Sequence, residues 1–369
     1  MARKYKLVVL PGDGVSREVI PEAVKALNAA QETVKGLNLE FLEFEFGFEY
    51  YTRTKEPWSQ EAYSACKESD AILYGAVGLP GVEGLEHIVY MHRMLRQDLD
   101  LYANVRPVKL RDGVTCPLAG KKPGDIDLVV VRENTEDLYA PIRGSLTRGD
   151  TEEVAIDVKI VTRKGAERVI KYAFQLCMNR GRGAPMDGKF RVTCVDKSTV
   201  LKSCNLFRKV YNEVAENYPD VERDYALIDA WTQWAIRRPE YFNVIVTTNM
   251  FGDVITDMVA PFQGGLGLTP SAEVGDKYGV FRPVHGTAPR YYGKSVVNPI
   301  ATILSANMLM EWLAQKHNDD SAKEAAGLIE HAVDSTLKDG KILTYDLGGS
   351  SKTYEVGDEI AKKIRKTTK

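Results

Sequence analysis

Short apolar runs alternate with longer segments of helical periodicity along nearly the whole chain of 369 residues, and this rhythm restricts the fold more than any single motif does. The runs at 7–10, 71–74, 127–131, 191–195 and 244–247 have the length and apolar density of strands. Apolar residues at helical spacing follow at 17–29, 166–178, 200–215, 253–261, 299–313 and 321–337. The alternation predicts an α/β protein. The stretch VAIDVKIV, at 154–161, departs from it, because apolar and polar positions alternate there as in a half-exposed antiparallel strand. That segment is expected in a subdomain or a dimer contact.

Apolar residues make up 44% of the chain, enough for a substantial core, and the length suits two domains. The 49 basic and 51 acidic residues leave a formal net charge of −2, so no global field favours nucleic acid or a lipid surface, and any basic site must be local. The opening MARKYKLVVLPGDG holds an apolar run too brief for a signal peptide or a membrane span, which points to a cytoplasmic protein. Cys66, Cys116, Cys177, Cys194 and Cys204 lack CxxC spacing and are odd in number, a pattern of free thiols and not of a disulfide framework or a zinc site. The basic tail at 362–369 is expected to fray.

In the first turn, LPGDGVSREV, Gly12 and Gly14 follow a strand, but Arg17 stands where the third glycine of a dinucleotide fingerprint belongs. A Rossmann site is therefore rejected, and a tight turn needing positive φ is preferred to a phosphate cradle. The segment NMFGDVITDMV places Asp253 and Asp257 four residues apart, on one face of a predicted helix among apolar neighbours. Like charges so placed repel unless a cation lies between them, and Mg²⁺ or Mn²⁺ suits oxygen donors. An acidic helix edge paired with lysines gives the same spacing.

Arg93, Arg96, Arg106 and Arg132 form a second set, each near a predicted strand or helix end. Guanidinium forks match carboxylates, and four of them suit a polyanionic acid if they converge, although solvation at the surface explains any one alone. Lys197 in VDKSTV and Tyr139 in NTEDLY become proton carriers only where neighbours shift their pKa values. The loop HGTAPRYYGKSVVNP, 285–299, is rich in small residues and leads into a helix, so it suits either close backbone approach to a nucleotide or an ordinary surface loop.

Taken together and in order, LPGDGV, GAVG, LDLYANVRP, VRENTEDLY, VDKSTV, DAW, NMFGDVITD, GGLGLTPSA, HGTAP, NPIATILSA and TYDLGG resemble the β-decarboxylating dehydrogenases, which include isocitrate, homoisocitrate and isopropylmalate dehydrogenases. The resemblance covers almost the whole chain. It implies an isopropylmalate dehydrogenase-like open α/β fold that is not a Rossmann fold. A discontinuous large domain of 1–101 and 264–369 would carry the cofactor loop, and a small domain of 102–263 would carry the dimer interface and a clasp-like segment at about 135–180.

It further implies a homodimer with shared active sites, Asp253 and Asp257 holding the divalent ion in one subunit while Asp229 and Lys197 come from the other. Tyr139 would act in the first subunit, and Arg96, Arg106 and Arg132 would clamp a malate-like acid. The helix before the first clamp arginine, where isopropylmalate enzymes carry leucines, has His92 and Arg93 here, which favours a third carboxylate, as in isocitrate or homoisocitrate. Arg93 resembles an arginine of homoisocitrate dehydrogenases, while Tyr90 and His92 replace the serine and asparagine of many isocitrate enzymes. Isopropylmalate, D-malate and tartrate, or a non-catalytic regulatory subunit, are the alternatives. Cofactor contacts would come from His285, Gly286, Thr287, Ala288, Pro289, Arg290, Tyr291, Asn298 and Tyr345. Arg290 stands where NAD-using members carry aspartate, and with Tyr291 and Tyr345 it resembles the NADP pattern, although Gly349 replaces a further arginine.

Overall fold

The structure, a computed structural model, describes residues 3–56, 58–78 and 95–366. The chain opens with β1 (Lys4–Leu10), α1 (Ser16–Thr33), β2 (Asn38–Glu43), α2 (Phe48–Thr54), α3 (Gln60–Glu68) and β3 (Ala71–Tyr74). Its middle runs β4 (Ala103–Lys109), β5 (Asp127–Glu133), β6 (Arg143–Arg148), β7 (Thr151–Asp157), α4 (Arg163–Asn179), β8 (Arg191–Asp196) and α5 (Lys202–Ala215). There follow β9 (Glu222–Leu227), α6 (Ile228–Arg237), β10 (Val244–Thr247) and α7 (Asn249–Val259). The last part holds β11 (Pro270–Val274), β12 (Gly279–Pro283), α8 (Ile300–His317), α9 (Asp320–Asp339) and α10 (Thr353–Lys366). All five strands and six helices expected from periodicity are present, most of them extended by a few residues at one end or both.

The chain divides into two compact units. Unit 1 comprises Met1–Leu101, Leu110–Ala119 and Ala260–Lys369, and unit 2 comprises Tyr102–Lys109 and Gly120–Val259.

Unit 1 orders its strands β2-β1-β3-β12-β11. β1 is parallel to β2 and β3, β12 is parallel to β3, and β11 is antiparallel to β12. Every residue of β3 (AILY) is buried, as a strand covered on both faces requires. Helix α8 is buried around most of its circumference, packing against α9 and the strands, while α1 packs against α10. Val356, Ile360, Ala361 and Ile364 of α10 are buried at helical spacing, so the expected fraying from 362 is corrected: helix continues to Lys366 because its apolar stripe is covered.

The first turn of unit 1 is a tight turn filled by the chain itself. Gly12 and Gly14 have φ of +73° and +55°, and a Cβ on either would lie 2.3 Å from a carbonyl oxygen, that of Ala76 or of Thr287 respectively. The Val15 amide donates to the Thr287 carbonyl at 2.9 Å, which leaves no cradle for a phosphate. Between these glycines, the buried Asp13 carboxylate accepts hydrogen bonds from the amides of Phe48 (2.8 Å), Gly78 (2.9 Å) and Glu49 (3.2 Å). Asp13 thus caps α2 across the turn.

Unit 2 orders its main strands β4-β5-β10-β8-β9. β5, β10, β8 and β9 are parallel and β4 is antiparallel to β5. Such sheets present their ligand sites beyond the carboxyl ends of the parallel strands. β6 and β7 form a separate antiparallel ribbon, exposed along its whole length. The strand expected at 154–161 is therefore antiparallel, but it spans Thr151–Asp157 and both its faces are open, since among the described residues it pairs with β6 alone. All five cysteines are free thiols, four of them buried. No helix among the described residues is long and apolar enough to cross a membrane.

Candidate active site

At the carboxyl edge of the unit 2 sheet, three elements bring an acid-binding and proton-handling set together. Arg132 ends the apolar run of β5, and its register partner on β4 is Asn104. Arg106 lies two residues further along β4, on the same face as Asn104. The third element, α7, follows β10 directly and presents Asn249, Asp253, Thr256 and Asp257.

The contacts converge on Asp253. Its Oδ1 is paired with Arg132 and lies 3.4 Å from Nη2 of Arg106, while its Oδ2 accepts the Tyr139 hydroxyl at 2.9 Å. Asp257 Oδ1 accepts from Nη1 of Arg106 at 3.1 Å. Burial alone would push the Asp253 carboxyl up, but the charges of Arg132 and Arg106, with the hydrogen bonds from Tyr139 and Arg132, hold it below the ordinary carboxylate range. The alternative reading of the two aspartates, an acidic edge paired with lysines, is not what forms: the cations beside them are arginines from β4 and β5.

Supporting residues that sequence reasoning missed hold this geometry. Buried Asn249 accepts from Nε of Arg132 at 2.8 Å and donates to the Glu136 carbonyl at 3.0 Å. Asn104 accepts from Nε of Arg106 at 3.1 Å. A Cβ on Gly252 would fall 2.5 Å from Cγ of Arg132, so a residue without a side chain is needed where Arg132 crosses the helix. Asn249 and Gly252 both lie in the NMFGD motif, where they were legible as motif but not as support.

Asp253 and Asp257 fit a hard divalent cation. Both offer carboxylate oxygens, both are reached by one guanidinium, and their side chains are 39% and 60% exposed. Among the described residues of one chain, no three His, Cys, Asp or Glu side chains gather as metal ligands, so Asp229 does not join this pair within the chain. Asp229 Oδ1 instead accepts from Nζ of Lys197 at 2.8 Å, and that hydrogen bond lowers the Asp229 pKa. The two residues that the resemblance assigns jointly to the opposite subunit are thus one hydrogen-bonded pair.

Unit 1 holds the other candidates. Arg96 meets Glu273 of β11 side-on, Nε to Oε2 at 2.9 Å and Nη2 to Oε1 at 2.7 Å. In the 285–298 loop, Nδ1 of His285 lies 2.9 Å from the Gly286 carbonyl, and burial pushes this imidazole below its ordinary value. Ala288 takes a φ of +36°, and Pro289 and Arg290 turn the chain so that the ring of Tyr291 stacks on Tyr345 at 5.7 Å and 19°. Asn298 donates to Asp346 at 3.0 Å and accepts from the Ile300 amide at 3.0 Å, which ties the loop to the 345–347 turn and to α8. Tyr291, Asn298 and Tyr345 are therefore brought into one region, with His285 within electrostatic reach of Asp346 and Arg290 exposed. His92 and Arg93, with Tyr90, lie outside the described residues.

Comparisons with known proteins address the family and the fold. A profile described as Isocitrate/isopropylmalate dehydrogenase matches residues 6–360. The chain is 40% identical to a 3-isopropylmalate/3-methylmalate dehydrogenase of Methanocaldococcus jannaschii, covering 98% of this chain and 99% of that one. It is 39% identical to a homoisocitrate dehydrogenase of the same organism over 99% of each chain. The crystal structure of isocitrate dehydrogenase from Methylococcus capsulatus superposes with a TM-score of 0.86 at 33% identity, covering 98% of this chain and all of that one. With the family profile spanning nearly every residue and the fold shared with an isocitrate dehydrogenase, the chain belongs to the isocitrate/isopropylmalate dehydrogenase family, the β-decarboxylating dehydrogenases.

Proposed function

We propose that the chain oxidises a malate-type 2-hydroxy acid with NAD(P)⁺ and then decarboxylates it, using Mg²⁺ or Mn²⁺. The observation that carries this reading is the convergence of Arg106, Arg132 and Tyr139 on Asp253, beside Asp257, at the carboxyl edge of the unit 2 sheet. A divalent ion held by Asp253 and Asp257 supplies Lewis-acid stabilisation of negative charge on the 2-oxygen. Arg106, Arg132 and Arg96 bind the acid's carboxylates through their planar forks. Lys197, positioned by its hydrogen bond to Asp229 and acting as the neutral amine, takes the proton of the 2-hydroxyl as the acid is oxidised. Loss of CO₂ from the β-keto acid leaves an enolate carbon, and the Tyr139 hydroxyl returns a proton to it.

His92 and Arg93 favour a third carboxylate on the acid, hence isocitrate or homoisocitrate. The relatives' names keep isopropylmalate beside them. NADP⁺ is the preferred cofactor in this reading, because exposed Arg290 and the Tyr291–Tyr345 stack, with Lys294 Nζ 5.8 Å from the Tyr291 ring centre, suit a 2′-phosphate better than a bare ribose. The test is steady-state kinetics of the purified chain with Mg²⁺ on isocitrate, homoisocitrate, isopropylmalate, D-malate and tartrate, each with both cofactors. Turnover of at least one acid, with a higher kcat/KM for NADP⁺, is expected. No turnover on the whole panel overturns the enzymatic reading in favour of a regulatory subunit, and a higher kcat/KM for NAD⁺ overturns the cofactor assignment.

A further inference from the structure

Glu273 is an acid inside the strand PSAEV, every residue of which is buried. Its side chain is 4% exposed, its register partner on β12 is the apolar Val280, and the guanidinium of Arg96, 17% exposed, closes on it through two parallel hydrogen bonds. A carboxylate so enclosed needs a permanent cation beside it, and Arg96 supplies one. The pair differs from those of Arg106 and Arg132. Their partners, Asp253 and Asp257, are 39% and 60% exposed and are the residues suited to a divalent ion, whereas Glu273 is sealed against Arg96.

Resting on the reading of Arg96 as a clamp for the acid, we infer that Glu273 is a positioning residue that sets the charge the clamp presents. It fixes the Arg96 fork by its Nε edge and sets a negative charge against it, so Arg96 recognises the acid by hydrogen-bond direction more than by net attraction. The consequence is selective. An acid carrying one more carboxylate gains less from Arg96 than it would from the same guanidinium without an acid against it, and the chain's preference among 2-hydroxy acids is shifted toward the less charged ones.

The test uses the full chain with Mg²⁺ and compares Glu273→Gln with Glu273→Asp, on isocitrate as the tricarboxylic acid and D-malate as the dicarboxylic one. Glu273→Gln keeps shape and an acceptor but removes the negative charge from beside Arg96. The ratio of kcat/KM for isocitrate to that for D-malate is expected to rise about tenfold, chiefly through KM. Glu273→Asp, which keeps the charge, is expected to hold the ratio near that of the wild type. The same ratio taken from Kd by calorimetry gives a readout independent of turnover. A changed Tm with an unchanged ratio in Glu273→Gln makes the pair merely structural and overturns the inference. Absence of turnover by the wild-type chain on every acid overturns the dehydrogenase reading instead.

Discussion

Asp253 occupies a position where a neutral amide cannot substitute, because each of its oxygens has a separate donor, guanidinium on one side and the Tyr139 phenol on the other. Tyr139 is its informative partner. The residue is 42% exposed, so Tyr139→Phe removes a hydroxyl without opening the core. It is expected to lower kcat by about 10²-fold to 10⁴-fold, the range for losing a general acid, with Tm nearly unchanged in a thermal melt. An unaltered kcat would take Tyr139 out of the proton path. Asp13 makes a different demand, since three backbone amides donate to its carboxylate in a fully buried turn. Asp13→Asn turns one acceptor oxygen into a donor facing an N–H, which is expected to cost about 1–3 kcal/mol, seen as a lower urea midpoint at constant m. Asp253, Arg132 and Arg106 were legible because their residue types stand alone against apolar surroundings in strand and helix. Asp13, Asn249 and Glu273 were not, because their work is to satisfy neighbours that only folding supplies.

The elements that periodicity found are those whose burial is one-sided or complete, such as β3, β10, α4 and α9. Those it missed include β4 (ANVRPVK) and β11 (PSAEV), where Asn104, Arg106, Ser271 and Glu273 are buried polar residues that break the apolar run. Two strands that carry candidate residues are thus ones a hydrophobic pattern reads badly, because their inward faces are built for charge, whereas β5, apolar up to Arg132, was found. Helix boundaries depend on similar local chemistry. Asp319 caps α9, its Oδ1 accepting from the amides of Ser321 (2.8 Å) and Ala322 (3.3 Å), while Oδ2 accepts the Tyr5 hydroxyl of β1 at 2.6 Å. Burial pushes this carboxyl up, but the bonds from Ser321 and Tyr5 outweigh it and leave the pKa below the ordinary value. A depressed folded-state pKa gives stability that is present above the unfolded value and lost as pH falls through the folded one. Asp319→Ala is therefore expected to destabilise by about 1–2 kcal/mol at neutral pH. The gap between variant and wild type should narrow in denaturant titrations carried to progressively lower pH, and a gap that stays constant through the acid range would show that ionisation of Asp319 plays no part.

At the scale of the whole molecule, the question is which chain completes which site. Within one chain, Lys197 holds Asp229, and the arginines with Tyr139 hold Asp253 and Asp257, without the three aspartates forming one ligand set. The β6–β7 ribbon also carries exposed Leu146, Val154 and Ile156, at 55%, 42% and 56%, an apolar strip of the kind that a second copy covers. If two copies each donate Lys197 and Asp229 to the other, two separately inactive variants can repair one another. In a hybrid of Lys197→Met and Asp253→Asn chains, one site would receive both intact residues and the other would receive both lesions. Unfolding and refolding equal amounts together makes half of the dimers hybrids, each with one of two sites whole, so about a quarter of wild-type activity is expected to return. Sites built within single chains would carry one lesion everywhere, and mixing would restore nothing. The refolded mixture, assayed beside each variant refolded alone, therefore separates a shared site from an internal one regardless of which acid proves to be the substrate.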